Sequence, residues 1–107
     1  MKQNEIQFMV ISGKRWFDRV NGNTYHSCSV VVNGELVGVA DFKYGYCDHY
    51  KQTALDILQD GGYFLEGQGE YTTGGAKQDY NNFFQWCMDN RNKVVFTVAD
   101  VGRKRDL

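Results

Sequence analysis

Ile6, Phe8 and Val10 alternate along residues 5–11, with Met9 and Ile11 between them. Period-two spacing with apolar residues also in the intervals predicts a strand covered on both faces. Residues 12–23 hold Lys14-Arg15-Trp16-Phe17 and end in Asn21-Gly22-Asn23, which is turn chemistry. Two further strand-like runs, 24–32 and 35–42, flank Asn33-Gly34. That dipeptide favours a two-residue type I′ hairpin, because both central positions need positive φ. Counting outward from the turn sets Val32 opposite Glu35, Val30 opposite Val37, Cys28 opposite Val39 and His26 opposite Asp41. The other face then pairs Val31 with Leu36, Ser29 with Gly38, Ser27 with Ala40 and Tyr25 with Phe42. A one-residue slip would exchange the two faces, so the turn decides which side chains meet.

The periodicity then changes. Tyr50, Ala54, Ile57 and Leu58 lie at helical spacing over residues 48–60, with Asp48 as N-cap and Gly61-Gly62 as the stop. Residues 61–76, rich in Gly and Thr, read as the longest irregular segment. A second helix is predicted over 79–90, capped by Asp79, with Tyr80, Phe83, Phe84 and Cys87 on one face. Lys93 to Ala99 alternates Val94, Phe96 and Val98 as a last strand, and residues 100–107 form a polar, mostly basic tail. The order β-β-β-α-α-β predicts a single α+β domain over 1–107. Its architecture would be an antiparallel β-sheet with two helices packed on one face. The last strand is expected to return beside the first.

Composition adds limits. The 107 residues suit one domain and bury roughly two-thirds of the unfolded chain's surface, enough for one core. Seven Tyr, seven Phe and two Trp make the chain unusually aromatic. A net charge of −1 argues against a general polyanion binder and against a strongly acidic DNA mimic. No apolar run approaches the ~20 residues of a membrane span, and the polar start, Met1-Lys2-Gln3-Asn4-Glu5, does not read as a signal peptide. Three cysteines without a Cys-x-x-Cys spacing read as free thiols in a reducing, cytoplasmic compartment.

Several stretches carry a resemblance: Lys14-Arg15-Trp16-Phe17, then Gly22-Asn23-Thr24-Tyr25-His26-Ser27, then Val32-Asn33-Gly34. Tyr44-Gly45-Tyr46, Gln52-Thr53-Ala54-Leu55 and the closing Asp100-Val101-x-Arg103-Lys104-x-Asp106-Leu107 belong with them. Together they span most of the chain and resemble a family of small uncharacterised accessory proteins of tailed bacteriophages. The resemblance implies a setting, the cytosol of an infected bacterial host, and carries no activity. Small phage proteins of this kind are often inhibitors of host enzymes or antiviral defence, an analogy of context rather than of a site.

Four constellations bear on chemistry. His26 and Asp41, as cross-strand neighbours, would make a base and its orienter and would favour the charged imidazole. No nucleophile accompanies them beyond Cys28, and a polar pair at the sheet margin is the preferred reading. His26-x-Cys28 with Cys47-x-His49 offers two His and two Cys for tetrahedral zinc, but the spacing is not that of structural zinc sites, and no metal or other cofactor is assigned. Gly69-x₄-Gly74-Gly75-Ala76-Lys77 only echoes a phosphate-binding loop, lacking the Gly-Lys-Ser/Thr ending. Glu66 and Glu70 fall in the same Gly-rich stretch and read as solvated.

The fourth mixes bases and rings: Lys14, Arg15, Trp16, Phe17, Asn23, Tyr25, Tyr44, Tyr46 and His49. Aromatics with Arg are what protein-binding surfaces use. The same groups can also stack nucleobases and meet phosphates, and Arg103-Lys104-Arg105 would extend that basic surface. The expectation is a non-enzymatic binding protein whose partner is a host protein, blocked sterically. The alternatives are a single-stranded nucleic-acid or nucleotide binder and a small enzyme using His26 and Asp41. The sequence leaves the oligomeric state open.

Overall fold

The computed structural model describes residues 5–45, 49–64, 72–73, 76–77 and 79–107. Along the chain run β1 (Met9–Asp18), β2 (Asn23–Val32), β3 (Glu35–Tyr44), α1 (His49–Asp60), β4 (Thr72–Thr73), β5 (Ala76–Lys77), α2 (Asp79–Asp89) and β6 (Val94–Val101). The fold is α+β. Its main sheet has the order β3-β2-β1-β6, while β4 and β5 pair only with each other.

The sheet is mixed, which corrects the expectation of an antiparallel one. β6 does return beside β1, but parallel to it. The helical connection carries the chain back to the end where β1 begins, and Met9 N–H donates to the Lys93 carbonyl at 2.7 Å. A strand entered from that end has to run with β1. β1 also extends well past the predicted stop at residue 11, reaching Asp18 in register with both neighbours. The chain then turns through residues 19–22. There the Asp18 carboxylate accepts from the backbone N–H of Val20 (3.0 Å) and from Asn21 Nδ2 (2.7 Å).

The hairpin turn forms as predicted: Asn33 and Gly34 both hold positive φ, 52° and 85°. Val32 faces Glu35 and Val31 faces Leu36, as counted from the turn. Two bulges on β3 then shift the register. Val30 meets Gly38, Cys28 meets Ala40 and His26 meets Lys43. A bulge places two residues against one, so each displaces every later pair by a position.

Asn33 does more than turn the chain. Its Oδ1 accepts from the backbone N–H of Gln7 (2.7 Å) and Phe8 (3.1 Å), and its Nδ2 donates to the Glu5 carbonyl (3.0 Å). Glycine at this position keeps the positive φ and removes all three bonds. Asn33→Gly is therefore expected to destabilise by about 1–2 kcal/mol, at the low end per bond because the sites are exposed. It should also raise hydrogen exchange at Gln7 and Phe8. Unchanged exchange at both amides would rule out this clamp.

The core lies on the face presented by Met9 and Ile11 of β1 and by Cys28, Val30 and Val32 of β2. Against it pack Tyr50, Ala54, Leu55, Ile57 and Leu58 of α1 and Phe83 and Cys87 of α2. Phe64 joins the helices: its ring meets Phe83 edge-on at 5.1 Å and Trp86 at 5.6 Å. Gly13 allows α1 to sit close, since a Cβ there would lie 2.7 Å from two carbons of the Tyr50 ring. The predicted face of α2 is buried at Phe83 and Cys87 and half-buried at Phe84. Asp48, proposed as a cap, lies outside the described residues, as do the side chains of Asp79 and Tyr80.

Candidate functional site: the open face of the sheet

Both helices lie on one side, so the alternate side chains of the sheet face away from them. Among the described residues no helix covers this second face. It presents Val10, Ser12, Lys14 and Trp16 of β1, Tyr25, Ser27, Ser29 and Val31 of β2, and Val95 and Thr97 of β6. β3 adds Leu36, Val39, Phe42 and Tyr44, which stay exposed at 62%, 53%, 43% and 60%. An antiparallel strand with one solvated face normally carries polar residues there. Exposed apolar positions gathered on one face mark a surface used for binding.

At one end of the face the aromatics form a row. Tyr25 is the middle ring: Trp16 stacks on it at 5.9 Å with 25° between planes, and Phe42 at 4.5 Å with 16°. Tyr44 meets Tyr25 edge-on at 5.7 Å. The chain's C-terminal segment folds back over the same face. The ammonium of Lys104 sits 4.7 Å from the centroid of the Phe42 ring, a favourable cation–π distance. Leu107 lines a small recess with Ser12, Lys14, Ser27, Val39 and Asp41. The predicted basic tail is thus part of the surface, with strand structure to Val101 and a 3-10 turn at Lys104–Asp106.

No protein family matches the chain, nor does any curated protein or solved structure.

The structure divides the residues proposed from sequence. Lys14, Trp16, Tyr25 and Tyr44 share the open face. Arg15 and Phe17, at the alternate positions of β1, point to the helix side, beyond the end of α1's cover. Arg15 Nε donates to Asp100 Oδ1 at 2.9 Å there, and Phe17 stays 54% exposed. Asn23 pairs with Asp18 at the far end of the β1–β2 ladder. His49 begins α1 and is exposed, its ring 5.5 Å from that of His26. Tyr46 lies outside the described residues, as do Cys47, Glu66, Glu70, Gly69 and Gly74-Gly75. Phe42 was not among the proposed residues, although its predicted place opposite Tyr25 was the signal that could have found it.

His26 and Asp41 do not form a pair. The second bulge of β3 puts Lys43 opposite His26 and leaves Asp41 on the open face beside Ser27. His26 instead lies in the interior under α1, 1% exposed. Its Nδ1–H donates to the Gly45 carbonyl (3.2 Å), and the Thr53 hydroxyl donates to its Nε2 at 2.6 Å. A carbonyl can only accept, which fixes a proton on Nδ1. Burial, foremost, lowers the pKa of His26 below the ordinary 6.5, and the Gly45 contact raises it in part. This reverses the charged imidazole expected beside a carboxylate.

The thiols of Cys28 and Cys87 are also buried, and burial pushes both up to about 12. A thiol held protonated is a poor nucleophile and a poor metal ligand. Among the described residues no three His, Cys, Asp or Glu side chains converge on a point that could hold a metal. No described helix is long and apolar enough to cross a membrane.

Proposed function

We propose that the protein acts without catalysis, by docking the open face of its sheet onto another protein. The observation that carries this reading is the aromatic row of Trp16, Tyr25, Phe42 and Tyr44, in which Phe42 and Tyr44 stay exposed, continued along the face by Val39, Leu36 and Val31. Large rings beside a cation, set in a broad apolar face, are the anchors that dominate protein interfaces. The resemblance to phage accessory proteins supplies the setting: a host bacterial protein, such as an antiviral defence component, blocked sterically in the infected cell's cytoplasm.

Ring geometry favours protein over nucleic acid. Bases bind by stacking on free ring faces. Here Tyr25 has Trp16 and Phe42 stacked against it, and Lys104 lies against Phe42. The central ring, Tyr25, is thus engaged by two neighbours, and Phe42 carries both Tyr25 and Lys104 rather than offering free faces to bases.

The test is a pull-down of the tagged protein from bacterial lysate, with and without nuclease, beside Trp16→Ala and Phe42→Ala. A stoichiometric protein that survives nuclease and binds each variant more weakly by over ~1 kcal/mol, roughly fivefold or more, is the expected result. Each variant must melt as a folded protein for the comparison to count. Recovery of nucleic acid alone, or a protein captured equally by both variants, defeats the reading.

A further inference from the structure

The two edges of the main sheet, β3 and β6, are built differently. β3 carries both bulges, together with Glu35, Asp41 and Lys43, all exposed. Bulges and charges are the devices that stop an edge from pairing with another chain. β6 has neither bulge nor Lys. It reads Val-Val-Phe-Thr-Val-Ala-Asp-Val and keeps unbroken register with β1 from Val94 to Val101. Val95 and Val98 remain 40% and 39% exposed. The direction of its free groups follows from one bond: the Lys93 carbonyl points to β1, where it accepts from Met9 N–H. Backbone groups of successive strand residues turn to opposite sides. Val95, Thr97 and Ala99 therefore bond toward β1, and Val94, Phe96, Val98 and Asp100 present N–H and C=O outward.

Beside this edge, on the helix side, lies an apolar groove of about 320 Å³. Phe84, Met88, Val94 and Phe96 line it, with the cationic Lys51 and Arg91. Lys51 Nζ lies 4.6 Å from the centroid of the Phe96 ring. A strand added to β6 would direct every second side chain toward this groove.

We propose that β6 pairs antiparallel with β6 of a second copy of this chain, about a two-fold axis at Thr97, joining the two sheets into one. This inference stands apart from the docking face above, since pairing at the edge leaves both open faces uncovered. The occupant is a second copy because edge and groove complement themselves. Residues opposite each other share a face, so Phe96 of one copy meets Val98 of the other, and Val94 meets Asp100. The half-exposed Val98 thus lands beside the apolar groove. Asp100, its side chain 75% exposed, comes opposite Val94, which lines the same groove as the cationic Arg91 and Lys51. Its Oδ1 already accepts from Arg15, and a carboxylate has further lone pairs to offer. Two-fold symmetry makes each of these contacts twice.

Sedimentation analysis of the full chain across a concentration series tests the pairing, read together with hydrogen exchange at Phe96, Val98 and Asp100. The expected result is a reversible dimer in which these amides gain protection as concentration rises. Val98→Pro removes an outward N–H and spares the bonds to β1, so it should leave a folded monomer. Val98→Lys, a charge placed at the same edge, should do the same if proline is not tolerated in the fold. A monomer at every concentration overturns the proposal, with the edge then left to a strand from another protein. A dimer in which the three amides stay unprotected, or which persists in a folded Val98 variant, also overturns it.

Discussion

Phe83→Ala is expected to remove about 3–5 kcal/mol of stability, the range for deleting a large buried aromatic. Phe83 is fully buried, edge-on to Phe64 at 5.1 Å and tilted against Phe84 at 5.1 Å. Truncation leaves a cavity where α2 meets Phe64 and also removes ring–ring contacts worth ~0.5–1.5 kcal/mol each beyond area burial. The aromatic junction of Phe64, Phe83, Phe84 and Trp86 is what fixes this helix against the rest of the core. A domain of this size has only about 5–15 kcal/mol to lose. The melting midpoint should fall by roughly 15–25 °C. Met88→Ala, on the 66%-exposed side of the same helix, serves as the control and should change stability by no more than about 0.5 kcal/mol. Equal effects of the two substitutions would mean that Phe83 does not anchor α2.

How much of this was legible in the sequence depends on how local each cause is. The Asn33-Gly34 turn was legible because two positive φ values are demanded by adjacent residues. So were both helices, since an apolar stripe repeats within each element. The length of β1 was not. Ser12, Gly13 and Lys14 look like the end of a strand, yet Gly13 is where Tyr50 must come close, and that requirement lies in another element. The bulges of β3, one between Leu36 and Gly38 and one between Ala40 and Lys43, were equally hidden from a count begun at the turn, and each shifts every later partner. The direction of β6 depends on where the helices deliver the chain, which alternation of Val94, Phe96 and Val98 cannot encode.

The candidate site divides along the same line. Basic and aromatic residues close together in sequence pointed to a surface, but alternation along β1 separates Arg15 and Phe17 from Lys14 and Trp16. Phe42 joins the row by reaching across the bulge to Tyr25, with Tyr44 as Tyr25's backbone partner. Lys104 arrives from a segment far along the chain. A register counted from a turn is reliable only up to the first bulge.

The largest consequence of that register error falls on His26, and it sets the second strong expectation. His26→Leu fills much of the same space but leaves the Thr53 hydroxyl and the Gly45 carbonyl buried without their partner. Each orphaned group costs about 1–3 kcal/mol, so the variant should lose roughly 2–6 kcal/mol at neutral pH. The loss should depend on pH with a definite sign. The folded protein holds His26 neutral, with its pKa lowered from 6.5 chiefly by burial. The unfolded chain then binds the proton first as pH falls, and stability falls with it. The contribution is complete above about 6.5 and is lost as pH drops through the folded value. Denaturant midpoints of the wild type and of His26→Leu, measured from pH 7.5 downward, should therefore converge below pH 6.5. A gap that widened on acidification would mean that His26 is held charged, as it would be beside Asp41. The hydrogen bond from Thr53 would then have to run the other way, with Nε2–H donating to the hydroxyl.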